Sequence, residues 1–139
     1  MALALVTAGL ENGNSAEVIR GYRLMNRIEK DFPDDPALLT ALGTILLKGK
    51  QPEEALRRFT RVTALRENYA PYRVNRAMAL GALNRRPDAV LELREALRLD
   101  PLLQPAVELI SRLLRDTGQA EEADRVMGEY RRQSGFRVP

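Results

Sequence analysis

A period of 34 residues constrains this chain more than any other feature, because Gly9, Gly43, Ala77 and Ser111 recur at that interval and so do Gly21, Ala55, Ala89 and Ala123. Small residues kept at a fixed interval mark places where two backbones approach closely and a large side chain would hold them apart. The bulky positions recur too, as Met25, Phe59, Leu93 and Met127, then as Ile28, Val62, Ala96 and Tyr130. A period of this length points to a stack of identical supersecondary units rather than to one irregular core.

The stretch Pro36–Tyr69 shows the unit most plainly. Leu39, Leu42, Ile45 and Leu46 repeat at helical spacing, which predicts a helix from about Ala37 to Lys48 that ends at Gly49. Pro52 then opens a second helix at the position where its missing N–H costs nothing, and Glu53 and Glu54 put negative charge on the first turn. Ala55, Phe59 and Val62 form the inner stripe of that second helix. Pro33 and Pro101 close two second helices, while Pro71 and Pro105 stand near the start of the first helices that follow. No Gly/Ser linker interrupts the series. The expectation is a single domain over residues 1–139, with repeats at 2–35, 36–69, 70–103 and 104–137.

Composition restricts the chemistry such a stack could perform. Cysteine and histidine are both absent, which removes disulfides, thiolate nucleophiles, imidazole bases and the commonest zinc ligands. Apolar residues make up 45% and charged residues 29%, in the range of a folded globular protein. The net charge of +3 is a mild excess and not the dense basic stripe expected of a nucleic-acid binder. The apolar run Met1–Val6 is far too short to span a membrane and lacks the charged front of a signal peptide, so a cytoplasmic location is expected. The abundance of Arg, Ala and Leu leans towards a bacterial coding sequence.

The repeat resembles the tetratricopeptide repeat from Ala2 to about Phe136. The elements that carry the resemblance are Leu42-Gly43, Gly49, Glu54-Ala55 and Phe59 in the second unit; Asp88-Ala89, Leu93 and Leu99-Asp100-Pro101 in the third; and Gly118 with Glu122-Ala123 in the fourth. The first unit departs most, with Gly21 for the usual Ala and Asn12 in a column that otherwise reads Leu46, Leu80 and Leu114. The resemblance implies an all-α fold: a right-handed α-solenoid of four helix-turn-helix repeats, about eight antiparallel helices, whose first helices line a concave surface. It also implies a non-enzymatic protein-interaction module.

Carrying the family's groove columns onto this sequence gives Leu3, Val6, Leu10 and Asn14, then Thr40, Thr44, Leu47 and Lys48, then Val74, Asn75, Met78 and Ala82, and finally Glu108, Arg112, Arg115 and Asp116. Such a surface grades from apolar to charged and suits a peptide or helix of a protein partner, with Asn75 and the hydroxyls pairing with the partner's backbone. One class of family members grips acidic C-terminal tails through Lys, Arg and Asn at these columns; Val6, Leu10, Thr40 and Thr44 stand there instead, so that clamp is not supported. The competing reading is that these side chains only touch one another.

Other features have plainer explanations. Arg73 and Arg76 fall in columns held elsewhere by Leu39 and Leu42, and each should snorkel or find a carboxylate. Asp34-Asp35, Glu53-Glu54 and Glu121-Glu122 lie at helix starts, where negative charge is favourable, so no metal or cofactor is expected. The doublets Arg57-Arg58, Arg85-Arg86 and Arg131-Arg132 read as solvated faces, and Tyr22, Tyr69, Tyr72 and Tyr130 are too scattered for a stacking platform, which disfavours nucleic acid. Glu121, Arg125 and Glu129 make the last predicted helix, Gln119 to Gln133, a solvated cap. The first helix, with Leu3, Leu5, Val6 and Leu10, is apolar almost all round, and a preceding repeat, another domain or a second copy forming a homodimer is expected to cover it. The chain would then be an architectural piece of a larger array.

Overall fold

The computed structural model describes residues 15–135. Among these the chain forms seven helices and no strand: α1 Ser15–Asp31, α2 Pro36–Lys48, α3 Pro52–Leu65, α4 Ala70–Ala82, α5 Arg86–Leu99, α6 Gln104–Asp116 and α7 Ala120–Ser134. The first helix of the expected eight, with Leu3, Leu5, Val6 and Leu10, lies outside the described residues. None of the seven is long and apolar enough to cross a membrane.

The described residues fall into two compact units divided between Leu65 and Arg66. In the first, α2 and α3 form a hairpin and α1 packs beside α2. In the second, α4 pairs with α5 and α6 with α7, while α6 also rests on α4 and α5. Helix starts follow the sequence signals. The Asp35 carboxylate accepts a hydrogen bond from the Leu38 N–H at 2.8 Å, capping α2 just before Pro36. Pro71 and Pro105 sit in the first turns of α4 and α6. The last helix is shifted by one residue at each end from the expected Gln119–Gln133.

Every described member of the two small-residue columns is buried: Gly43, Ala77 and Ser111 in one, Gly21, Ala55, Ala89 and Ala123 in the other. The reason is explicit at Gly43. A β-carbon there would overlap Cε1 of Phe59 and stand 2.8 Å from its Cδ1 and Cζ. Phe59 is only 1% exposed, so its ring has nowhere to retreat. Burying that ring contributes roughly 2–3 kcal/mol, and the missing β-carbon is the condition for it. Met25 packs with Leu42 and Ile45 to carry the apolar core of the first unit onto α1. Met127 and Tyr130, in the corresponding columns of α7, are only half-buried.

The turns between paired helices repeat as faithfully as the helices, and α2 ends at Gly49 as expected. Gly49 has φ −77°. The left-handed residue is the next one, Lys50 at φ 58°, and its counterparts are Asn84 at 61° and Gly118 at 79°. Each turn closes in the same way, with the Gln51 N–H on Leu46 O, the Arg85 N–H on Leu80 O and the Gln119 N–H on Leu114 O, at 2.7–2.9 Å. This is the six-to-one closure of a Schellman motif. Gly49 is small for a different reason: a β-carbon there would lie 2.8 Å from the Tyr22 hydroxyl. That hydroxyl reaches across from α1 and donates to Ile45 O at 3.4 Å. Burial pushes the Tyr22 phenol above its ordinary pKa.

Two substitutions separate close approach from backbone freedom. Gly43→Ala is expected to lower stability by about 1–3 kcal/mol through overpacking against Phe59. Lys50→Gly should raise it by about 0.5–1 kcal/mol by relieving a left-handed residue with a β-carbon. Chemical denaturation followed by circular dichroism measures both, and an unchanged midpoint for Gly43→Ala would refute the overlap.

Candidate functional site

The exposed faces of the first helices hold the expected partner residues. On α2, Thr44 and Lys48 are exposed and Thr40 and Leu47 half-buried. The Thr40 hydroxyl donates to Pro36 O at 2.7 Å and the Thr44 hydroxyl donates to Thr40 O at 2.9 Å. Their protons are therefore committed to the helix, and toward a ligand these hydroxyls act as acceptors. In the second unit, α4 presents Met78, 45% exposed, with Ala82 exposed and Asn75 half-buried. Val74 is 6% exposed and belongs to the core, so it offers little surface to a ligand. On α6, Glu108, Arg112, Arg115 and Asp116 are all exposed. Glu108 accepts from Gln104 Nε2 at 2.7 Å, and Arg115 turns to Asp124 on α7 at 2.6 Å. Leu3, Val6, Leu10 and Asn14 lie outside the described residues.

The first helices share one regularity. Thr44, Met78 and Arg112 occupy the same place in three successive repeats, and all three are exposed. Lys48, Ala82 and Asp116 form a second such column, also exposed throughout. The backbone keeps the positions equivalent while the chemistry at each changes from hydroxyl to thioether to guanidinium.

Arg73 and Arg76, which replace core leucines on α4, find one carboxylate between them. Arg73 Nη1 lies 3.3 Å from Glu92 Oε2 and Arg76 Nη1 lies 3.1 Å from Glu92 Oε1. Arg73 Nη2 also donates to Glu67 O at 3.3 Å. The three side chains are only 17–31% exposed, and the Nε atoms of both arginines are buried without a partner. Two guanidiniums thus share the Glu92 carboxylate in a poorly solvated place, and removing it leaves Arg76 without its ion pair and Arg73 with only the Glu67 carbonyl and the Coulombic pull of Glu95.

The adjacent carboxylates fulfil the helix-start reading and join ion pairs both within and between helices. Asp35 caps α2, Asp34 pairs with Arg61, Glu54 with Arg57 and Arg58, and Glu122 with Arg94 and Arg125. Among the described residues no group of three carboxylates converges as a metal ion would need. Of the basic doublets, Arg57, Arg58 and Arg85 are each tied to a carboxylate. Tyr69 and Tyr72 are not scattered but stacked edge to face, their ring centroids 4.5 Å apart.

One feature of the second unit escaped the sequence reading. Leu97 and Pro101 of the α5 end, Val107 and Ile110 of α6, and Val126 and Tyr130 of α7 line a groove of about 370 Å³. Arg94, Arg98, Glu129 and Gln133 rim it. The one sequence signal was Tyr130, the largest residue in a column otherwise filled by Ile28, Val62 and Ala96.

No family model matches the sequence. Over 92 residues, 66% of this chain, it is 36% identical to the inactive TPR (tetratricopeptide) repeat-containing thioredoxin TTL3 of Arabidopsis thaliana. Over 83 residues it is 36% identical to the TPR repeat-containing thioredoxin TTL4 of the same plant. These matches span only 13% and 12% of the two plant proteins. Among solved structures, residues 41 to the end of MamA from Desulfovibrio magneticus RS-1 superpose with a TM-score of 0.77 at 16% identity, covering 100% of this chain and 78% of that one. MamA MSR-1 gives a TM-score of 0.74 at 25% identity over 96% of this chain and 75% of that one.

The Arg73–Glu92–Arg76 cluster yields a direct prediction. Glu92→Gln should lower stability by about 2 kcal/mol, whereas Arg76→Leu, which restores the residue type found at Leu42, should be neutral or stabilising. Urea denaturation of the two variants distinguishes them; equal losses would mean that the cluster acts by packing alone.

Proposed function

Because the chain belongs to the tetratricopeptide-repeat proteins, we propose that it is a non-enzymatic scaffold that holds a peptide or helix of a protein partner against its first helices. The observation that carries this reading is the exposed column Thr44, Met78 and Arg112. Those three positions are equivalent in the repeat, face solvent and differ in chemistry, as a surface that reads an irregular partner must. Thr40, Leu47 and Lys48 extend the contact on α2, Asn75 extends it on α4, and Glu108 and Arg115 extend it on α6. Apolar burial would come from Leu47 and Met78, since a flexible thioether adapts to partners of different shape. Asn75 would pair with the partner's backbone, and the α6 charges would fix its orientation more than its affinity. The four repeats, 2–35, 36–69, 70–103 and 104–137, act in this proposal as one domain.

Affinity capture from the source lysate tests the reading, with the wild-type chain compared to a Thr44→Arg/Met78→Glu variant. Both side chains are exposed, so helicity should be unchanged. A protein retained by the wild type and lost at least about tenfold from the variant is the expected result. Retention of the same protein by both would remove the first-helix surface from consideration.

A further inference from the structure

The solvent face of α1 carries four cations in a row. Arg20, Arg23, Arg27 and Lys30 recur at three- and four-residue spacing and all are exposed, so they line one side of the helix over about 15 Å. None of the four makes an ion pair or a side-chain hydrogen bond among the described residues. The nearby carboxylates are engaged elsewhere. Glu29, on the other side of α1, lies 3.3 Å from Arg58, Asp34 pairs with Arg61, Glu54 pairs with Arg57 and Arg58, and Asp35 caps α2. On α3, by contrast, all three arginines are matched to acids. Two carboxylates border the row on its own helix, Glu17 three residues before Arg20 and Asp31 after Lys30.

We propose that this face of α1 docks an acidic peptide segment of a partner protein. No described carboxylate is paired with these cations, and their spacing of 4.5–6 Å along the axis matches carboxylates three or four residues apart on a partner helix. Ile19, 52% exposed beside the row, adds an apolar contact that a peptide can meet. A nucleic-acid strand fits less well because no aromatic side chain interleaves with the cations: Tyr22 is turned to Ile45, and Phe32 lies beyond the helix end. A lipid surface fits less well because a helix lying on a membrane inserts its apolar face, and that face of α1, with Gly21 and Met25, is buried in the unit. The proposal concerns a second helix of a repeat and is independent of the first-helix reading above.

Fluorescence anisotropy with labelled poly-L-glutamate, an oligouridylate and phosphatidylserine vesicles as separate probes tests it. The wild-type chain is compared with Arg20→Glu/Arg23→Glu/Arg27→Glu and with Arg66→Glu/Arg86→Glu/Arg131→Glu. The second variant makes the same change in net charge at exposed arginines without an ion pair among the described residues. The expected result is that poly-L-glutamate binds most tightly, that affinity falls with added salt, and that the α1 variant alone loses at least about tenfold. Arg20→Gln/Arg23→Gln/Arg27→Gln repeats the comparison by neutralisation should the reversed variant lose helicity. Equal losses in the two reversed variants, tighter binding of oligouridylate or vesicles, or no binding of poly-L-glutamate by the wild type would each overturn the proposal.

Discussion

The contact between Gly43 and the Phe59 ring sets the distance between α2 and α3, and much of the first unit follows from it. Where the helices close this tightly on the Phe59 ring, no room is left for a β-carbon at Gly43. Once they do, Leu39, Leu42, Ile45 and Leu46 on one side and Ala55 and Val62 on the other are sealed from solvent. Each hairpin repeats the arrangement with its own pair of small residues, and the substitutions are graded in size. The buried column goes from Gly43 through Ala77 to Ser111, whose hydroxyl has no hydrogen-bond partner. As the small position grows, its bulky counterpart shrinks from Phe59 to Leu93, which keeps the packed volume nearly constant.

Electrostatics tie second helices to their neighbours in a way that the apolar core does not. Arg58 to Glu29 joins α3 to α1, and Arg94 to Glu122 joins α5 to α7, both between helices that belong to successive repeats. The Arg94–Glu122 pair is partly exposed and contributes little stability by itself, whereas Arg58–Glu29 is half-buried; both fix which neighbour a helix accepts. Within α5 the hydrogen bond from Arg98 holds the Glu95 carboxyl below its ordinary pKa, a local pairing on a solvated face. Against this background of matched charges, the row on α1 stands out because no described carboxylate pairs with it rather than because its bases are numerous.

Much of this architecture is legible in the sequence, and the reason is the period. A single helix pattern is ambiguous, but a small residue that returns in each unit restricts both the helix and its partner, so the columns of Gly43 and Ala55 located the crossings before any coordinates were known. The helix end at Gly49 was legible for an equally physical reason, although which residue turns left-handed was not. Gly49 does cap the helix, but the chain places Lys50 in the left-handed position and uses Gly49 to make room for Tyr22. Comparison of the three turns would have found it, because Lys50, Asn84 and Gly118 share a register and Gly49 aligns with Leu83.

The surface is less legible than the core because the two are under different constraints. Core positions recur in chemistry as well as place, so a residue that breaks the column, such as Arg76 where Leu42 stands in the preceding unit, implies a compensating group nearby. Glu92 is that group, yet it lies 16 residues away on the facing helix, and no spacing rule within one helix would pair them. Positions that face solvent recur only in place. Thr44, Met78 and Arg112 share a backbone environment and nothing else, which is why the period aligns these exposed positions and cannot specify a ligand for them. On the outer side of α1 the same logic runs in reverse: four cations at exposed positions are ordinary until the acids around them are seen to be bound to other arginines. Only the folded chain shows which charges remain for a partner.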